Sequence, residues 1–125
     1  MPRINTKTNI TLSEEQKNVI TQEMAEVVNL IPRESGAFLM ADYEDNSSIR
    51  FGNDVKEPCA CVEINILDSV YKTTDPEIFE TVLGKLSAII SRNCNIPENR
   101  IFVLFRNSSM WAFEGLNIEK TILKS

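Results

Sequence analysis

Histidine is absent from the 125 residues of this chain, and cysteine occurs only three times. Without histidine, the chain cannot build an imidazole metal site or a catalytic triad with a histidine base. Three cysteines are also too few for a four-thiolate zinc site. We therefore expect no metal and no other cofactor, and acid–base chemistry must use carboxylates, lysines, tyrosines, cysteines or a chain terminus.

Basic residues and long apolar segments are also scarce. Thirteen Lys and Arg residues stand against 18 Asp and Glu residues, which gives a net charge of −5. No basic cluster interrupts this acidic balance, so we expect neither a nucleic acid nor an anionic membrane as partner. No apolar run is long enough to span a bilayer, and the first residues lack the pattern of a signal peptide. These absences predict a cytoplasmic protein with reduced thiols.

The residues that are present suit one compact unit. The length of the chain and its apolar content of 42% are enough for one hydrophobic core. We therefore expect residues 1–125 to form a single domain.

The first half of the chain has the pattern of a strand, a helix and a second strand. Residues 2–8 are extended in character. Ser13 and Gln16 form a capping box in front of apolar residues at helical spacing, which predicts an amphipathic helix. Pro32 ends this helix, and residues 37–43 have the composition of a buried strand.

The second half repeats this order of elements. Residues 59–67 have the pattern of a strand, and Asp75 with Pro76 provides an N-cap and a first helical residue for a second amphipathic helix. Residues 100–105, with the sequence RIFVLF, are strongly strand-forming. The segment 111–115 that follows is predicted to be irregular.

Two strand–helix–strand units predict one particular fold. Because each unit crosses over with a right-handed connection, the two together form a four-stranded sheet with both helices on one face. The order β-α-β-β-α-β therefore places the chain in the α/β class. Residues 101–105 are apolar on both faces of their strand, so the second face of the sheet needs a cover. We expect neighbouring subunits to provide it, which predicts an oligomer.

Pro2 is the candidate for acid–base chemistry. Removal of Met1 would leave the secondary amine of this proline at the chain terminus. The pKa of an α-amino group is about 8 and falls when the group is buried or lies near a cation. A neutral amine of this kind can move a proton between carbon and oxygen of an enolisable ketone. The alternative is that Pro2 is an incidental residue near a frayed terminus.

Five short segments match the pattern of one known family in the same order along the chain: residues 1–9 (MPRINTKTN), 30–32 (LIP) with 38–40 (FLM), 57–64 (EPCACVEI), 96–101 (IPENRI), and Trp111 with Gly115. Together they resemble the macrophage migration inhibitory factor family of the tautomerase superfamily. The resemblance implies a homotrimer of β-α-β-β-α-β chains, with the N-terminal proline at the floor of a pocket between subunits.

The same resemblance implies an activity. It predicts a keto–enol tautomerase that acts on phenylpyruvate and other small enolisable 2-keto compounds, with Pro2 as the catalytic residue. The alternative is a signalling or binding protein that has lost efficient turnover and acts through a protein receptor. Other reactions of the superfamily, such as dehalogenation or decarboxylation, have no specific support in the sequence.

The pocket lysine of the family, which meets the substrate carboxylate, is missing here. Its position falls near Arg33 and Glu34, and alignment on Pro32 places Glu34 there. A glutamate would repel a carboxylate substrate. Arg33, Arg3 and Arg106 remain as candidates for the missing cation, although a solvated arginine at a strand end is the alternative for Arg106.

Other pocket positions of the family are apolar in this chain. A tyrosine and an asparagine on the last strand are replaced by Phe102 and Leu104. The resemblance implies apolar pocket walls at Phe38, Leu67, Phe102, Trp111 and Phe113. Each of these aromatic side chains has an equally simple explanation as an ordinary core or interface residue.

Overall fold

Polar N-caps begin both long helices in the computed structural model, which describes residues 2–119. The Ser13 Oγ accepts from the Gln16 amide at 3.0 Å, and the Gln16 side chain accepts from the Ser13 amide at 2.9 Å. This capping box starts α1, Glu14–Val28. Asp75 accepts from the Glu77 amide and starts α3, Pro76–Cys94. Both predicted caps are confirmed.

The central sheet has the four strands β1 Arg3–Thr8, β2 Met40–Glu44, β3 Ala60–Leu67 and β4 Ile101–Ser108. Their order is β2-β1-β3-β4. The pairs β1/β2 and β3/β4 are parallel, and β1/β3, which joins the two halves, is antiparallel. The predicted α/β class and the β-α-β-β-α-β order are therefore confirmed.

Alternate residues of each strand face the two long helices. On the central strands this face is formed by Ile4, Val62 and Ile64, which are fully buried. They pack in one core with the apolar residues of the helices: Ile20, Met24, Val27 and Val28 of α1, and Phe79, Val82, Leu86, Ile89 and Ile90 of α3. The helices thus cover one face of the sheet, as predicted.

The opposite face, here called the open face, is more polar than residues 101–105 suggested. Asp42 accepts from Arg3 at 2.9 Å and from Asn5 at 2.5 Å, which makes a polar cluster on β1 and β2. Arg106 on β4 pairs with Glu63 on β3 at 2.8 Å. Exposed apolar side chains on this face include Phe102 near the start of β4 and Met40 at the start of β2, so a cover for it has to match both polar and apolar regions.

Two predicted boundaries in the first half are wrong. The first helix ends at Val28, because the amides of Leu30 and Ile31 donate to carbonyls three residues back instead of four. In addition, the residue before a proline, here Ile31, disfavours helical backbone. The strand predicted over residues 37–43 begins at Met40. Its first residues instead form a 3₁₀ turn, Gly36–Phe38, which the Ser35 side chain caps.

In the second half, the structure adds elements to those that were predicted. A short helix α2, Asp68–Thr73, follows β3 directly. The segment predicted to be irregular contains a small hairpin of β5 Ala112–Phe113 and β6 Leu116–Asn117. No helix among the described residues is both long and apolar enough to cross a bilayer. Met1 and residues 120–125, which the predicted domain includes, lie outside the described residues.

Candidate functional site

Pro2 lies at the start of the central strand β1 and is buried. Its carbonyl oxygen accepts from the Met40 amide at 3.0 Å. The next residue, Arg3, pairs with Met40 on one side and with Asn65 on the other. Backbone pairing on both sides holds the beginning of the chain in the sheet. This position differs from that of a frayed terminus, and the catalytic role of Pro2 stays a prediction.

Glu34 is buried close to this amino-terminal end, with only 8% of its surface exposed. Burial raises the pKa of its carboxyl group, because the charged form is disfavoured away from water. A hydrogen bond to the amino terminus of the chain, and the positive charge of that terminus, act in the opposite direction. Glu34 is therefore a buried carboxyl group with a raised pKa, and its correspondence to the family lysine stays a prediction.

Several contacts determine the path of the loop that carries Glu34. The Glu34 amide donates to the Ile31 carbonyl at 3.1 Å, and the Asn29 side chain accepts from the Gly36 amide at 2.8 Å. Gly36 packs so closely on α1 that a Cβ there would lie 2.2 Å from the Ala25 carbonyl oxygen. These contacts place the glutamate between α1 and the start of β2.

Two of the predicted wall residues are in contact. The Phe38 and Phe113 rings lie 6.2 Å apart between centroids and meet edge to face at 76°, a favourable aromatic geometry. They remain 56% and 41% exposed. The hairpin β5–β6 presents Phe113, and its turn has positive φ angles of 54° at Glu114 and 75° at Gly115. Phe38 is two residues before Met40, whose amide donates to the Pro2 carbonyl, so Phe38 lies on the segment that pairs with the start of β1.

Sequence reasoning did not select Met40 as a site residue. Its amide donates to the Pro2 carbonyl oxygen, and its side chain is among the most exposed large apolar groups of the described chain. The only signal was its place in the matched segment 38–40.

The three arginine candidates have different surroundings. Arg3 pairs with Asp42 at 2.9 Å, and Arg106 pairs with Glu63 at 2.8 Å, both on the open face. Arg33 is exposed, with a left-handed backbone angle φ of 68°. Two of the candidate cations are thus already partnered by carboxylates, and the third extends into solvent beside the buried Glu34.

The remaining predicted site residues are placed apart. Trp111 is half-buried against the core. Leu67, at the Pro2 end of β3, is fully buried. Phe102 pairs with Cys61, four residues along β3 from the partner of Arg3, which is a distance of about 13 Å along the strand.

Leu104 pairs with Glu63, two residues from that same level of β3. Within one chain, Phe102 and Leu104 therefore lie apart from Pro2 along the sheet. Their approach to a Pro2 site would require a second subunit.

Two surface grooves lie elsewhere on the described residues, each with a volume of about 430 Å³. One runs between α1 and α3, lined by residues that include Val27, Lys85 and Arg92. The other is lined by residues that include Pro58, Ile96 and Arg100. Neither groove includes Pro2 or Glu34 in its lining. Among the described residues, no three His, Cys, Asp or Glu side chains are grouped so that they could hold a metal ion.

Solved structures share this architecture at low sequence identity. MIF2 of Leishmania major aligns with a TM-score of 0.80 and 20% identity, over 94% of this chain and 97% of that one. Macrophage migration inhibitory factor of Toxoplasma gondii aligns with a TM-score of 0.75 and 20% identity, over 90% and 96% of the two chains. The crystal structure of Pt0534 inactivated by 2-oxo-3-pentynoate aligns with a TM-score of 0.78 and 14% identity, over 96% and 98%.

These likenesses establish a fold class. Neither the protein-family models nor the curated protein sequences give a match to this chain. The structural matches show an α/β chain with the fold of the macrophage migration inhibitory factor structures. The fold implied by the sequence resemblance is thereby confirmed.

Proposed function

We propose that this protein is a keto–enol tautomerase of the macrophage migration inhibitory factor type, with the Pro2 amine as its general acid and base. The observation that carries the proposal is the position of Pro2, buried at the start of β1 in this fold and bonded to Met40. Removal of Met1 exposes the secondary amine. The proposed substrates are small enolisable 2-keto compounds, and Pt0534, inactivated by the 2-keto acid 2-oxo-3-pentynoate, supports this class.

The proposed reaction is a proton transfer within the substrate. The neutral amine takes a proton from the carbon beside the ketone, so a C–H bond breaks and an enolate forms. Protonation of the oxygen completes the enol, and the reverse sequence completes ketonisation. Burial favours the neutral amine, whereas the Glu34 carboxylate favours the protonated amine. In this proposal Phe38 and Phe113, which are in contact and partly exposed in one chain, form an apolar wall of the site.

We propose a homotrimer as the working form. The apolar side chains Phe102 and Leu104 lie on the open face, away from Pro2 of their own chain. In a trimer of this fold they would line the Pro2 site of a neighbouring subunit. The cytoplasmic location predicted from the sequence is retained as part of this proposal.

Ketonisation of phenylpyruvate tests the catalytic role of Pro2. Wild type, Pro2→Gly and Pro76→Ala are compared, after intact mass has shown that each protein lacks Met1. Loss of a positioned acid–base group costs about 10²- to 10⁴-fold in rate. We expect a loss of that size for Pro2→Gly and a wild-type rate for Pro76→Ala, whose proline is exposed at the start of α3. Equal rates for the wild type and Pro2→Gly would contradict the proposal.

A second candidate function is a binding or signalling protein with weak turnover, recognised by a protein receptor. It is favoured by the ion pairs of Arg3 and Arg106, which leave a buried glutamate where a carboxylate substrate needs a cation. An intact trimer without turnover on charged and uncharged enols would support it. Turnover that depends on Pro2 would exclude it as the sole function.

A further inference from the structure

The hairpin β5–β6 has little support of its own. It is separate from the four-stranded sheet and pairs Ala112 with Asn117 and Phe113 with Leu116. An isolated two-stranded hairpin is at best marginally stable in water. Phe113 and Leu116 also keep 41% and 68% of their surface exposed. The position of this hairpin therefore depends on the contacts at its two ends.

The start of α2 provides contacts at both ends of the hairpin. Asn107, which precedes the hairpin on β4, donates to a carboxyl oxygen of Asp68. Glu119, which follows the hairpin, accepts from the Ser69 amide through Oε1 at 2.6 Å. Asp68 and Ser69 are the first two residues of α2. The two ends of the hairpin are thus attached to consecutive residues of one short helix.

The contact between Glu119 and Ser69 is shielded from water, since the two residues are only 6% and 4% exposed. A hydrogen bond is stronger where water cannot compete for it. The second carboxyl oxygen of Glu119, Oε2, and the Ser69 hydroxyl are buried without a hydrogen-bond partner in the part of the chain that the structure describes. Burial of such unpartnered groups costs free energy. The bond to the Ser69 amide is therefore what keeps the Glu119 side chain in place.

This contact is connected to the aromatic pair through the hairpin. The Ile118 amide donates to the Trp111 carbonyl at 2.9 Å and closes the hairpin one residue before Glu119. Within the hairpin, Phe113 meets the Phe38 ring at 6.2 Å between centroids. Loss of the Glu119 contact would free one end of the hairpin and, with it, the ring of Phe113.

We infer that Glu119 is a positioning residue, whose bond to the Ser69 amide fixes the hairpin β5–β6 and thereby holds Phe113 against Phe38 as a wall of the Pro2 site. The part of this inference that concerns the wall rests on the proposed function. The attachment of the hairpin by Glu119 is independent of turnover, so the two parts are measured separately.

The first experiment measures the attachment of the hairpin by hydrogen exchange, followed by NMR. Wild type, Glu119→Ala and Glu119→Gln are compared with the control Glu80→Ala, an exposed residue of α3. We expect Glu119→Ala to speed exchange of the Ser69 and Ile118 amides about 10- to 100-fold. Amides of the central strand β3, such as that of Ile64, should exchange as in wild type. Glu119→Gln keeps an acceptor oxygen and should restore most of the protection, and the control should match wild type.

Trp111, the single tryptophan of the chain, gives a second measure of the same end of the hairpin. Its side chain is half-buried. We expect acrylamide to quench its fluorescence more strongly in Glu119→Ala than in wild type, Glu119→Gln or the control. Unchanged exchange of the Ile118 amide in Glu119→Ala would overturn the inference. Equal acceleration of all amides, which indicates a global loss of stability, would overturn it as well.

The second experiment tests the wall during ketonisation of phenylpyruvate by Glu119→Ala, Phe113→Ala and the double variant. A wall that contacts the substrate equally before and during the reaction affects KM and leaves kcat nearly unchanged. We expect each single variant to raise KM about three- to tenfold. The double variant should raise KM no more than Phe113→Ala does, because both substitutions act through the same ring. Multiplied effects on KM would overturn the positioning role.

The two experiments separate the inference from the proposed function. If Glu119→Ala loosens the hairpin but the wild type does not turn over phenylpyruvate, the tautomerase proposal fails and the attachment by Glu119 stands. If turnover depends on Pro2 but Glu119→Ala changes neither exchange nor KM, the positioning role is wrong and the tautomerase proposal stands. Faster exchange with an unchanged KM in an active enzyme would overturn the role of the hairpin as a wall.

Discussion

At the scale of single residues, Glu34 experiences two opposing contributions to its free energy. Burial disfavours its carboxylate, whereas the hydrogen bond and the charge of the amino terminus favour it. Burial is the larger contribution, so the pKa of Glu34 is raised above its ordinary value of 4.5. The folded state therefore binds a proton at Glu34 more tightly than the unfolded state does.

This raised pKa predicts a pH dependence of stability. The contribution of Glu34 is fully present below the unfolded pKa and is lost as the pH rises through the raised folded pKa. Urea unfolding of wild type and Glu34→Gln at a series of pH values from about 4 to 8 measures it. We expect the stability of the wild type, relative to Glu34→Gln, to decrease with rising pH. A constant or increasing difference would contradict the assigned direction.

Gly36 has a role that depends on the absence of a side chain. A Cβ at this position would lie 2.2 Å from the Ala25 carbonyl oxygen, a distance that requires movement of the backbone. We expect Gly36→Ala to lower the free energy of unfolding by about 1–3 kcal/mol.

The matched control is Gly84→Ala on α3, where an added Cβ meets nothing within 4 Å. Alanine is favoured over glycine inside a helix by about 0.5–1 kcal/mol, so this variant should be slightly more stable than the wild type. Equilibrium unfolding in urea measures both variants. An equal effect of the two substitutions on the free energy of unfolding would contradict the role assigned to close packing at Gly36.

At the scale of elements, α1 depends on local capping. The Ser13 and Gln16 side chains each bond the other residue's amide, at 3.0 and 2.9 Å. We expect Ser13→Ala to cost about 1 kcal/mol of unfolding free energy. In a double-mutant cycle, Gln16→Ala should then cost less in the Ser13→Ala background, because the two bonds form one motif. Additive effects measured by urea unfolding would contradict this coupling.

The elements that were predicted correctly are those with local signals. The capping box, the Asp75 N-cap with Pro76, and the helical spacing of apolar residues all lie within a few positions of each other in the sequence. α2 lacks such a signal, because its N-cap, Leu67, has no side-chain hydrogen bond. Instead, Glu119 accepts from the Ser69 amide at 2.6 Å. A cap supplied from 50 residues away leaves no local pattern.

At the scale of the whole molecule, the open face carries the contacts of the proposed trimer. Phe102 is 63% exposed and packs only partly on Phe51, with 5.6 Å between ring centroids. Burial of such a side chain contributes roughly 2 kcal/mol. In the proposed trimer, each interface would gain this contribution.

We therefore expect Phe102→Lys to weaken the trimer by roughly 2 kcal/mol or more at each interface. Sedimentation velocity at a series of protein concentrations should show smaller species for this variant than for wild type. Val19→Lys, on the surface of α1, is the control and should behave as wild type does. A monomeric wild type, or a variant that assembles as wild type does, would contradict the assignment of this interface.

The amino-acid sequence by itself determined the order of elements, the two long helices with their caps, the α/β class and the choice of Pro2 as candidate base. These depend on interactions between residues close in the chain, or on a residue's own chemistry. That residues 1–125 form one domain stays a prediction from length and composition.

Only the tertiary structure decided the contacts of the other candidate site residues. It buried Glu34, paired Arg3 with Asp42 and Arg106 with Glu63, and brought Phe38 against Phe113. Each contact joins segments that lie far apart in sequence and meet only when the strands have aligned in register. For this reason the proline was visible in the sequence, whereas the ion pairs of Arg3 and Arg106 became visible only in the fold.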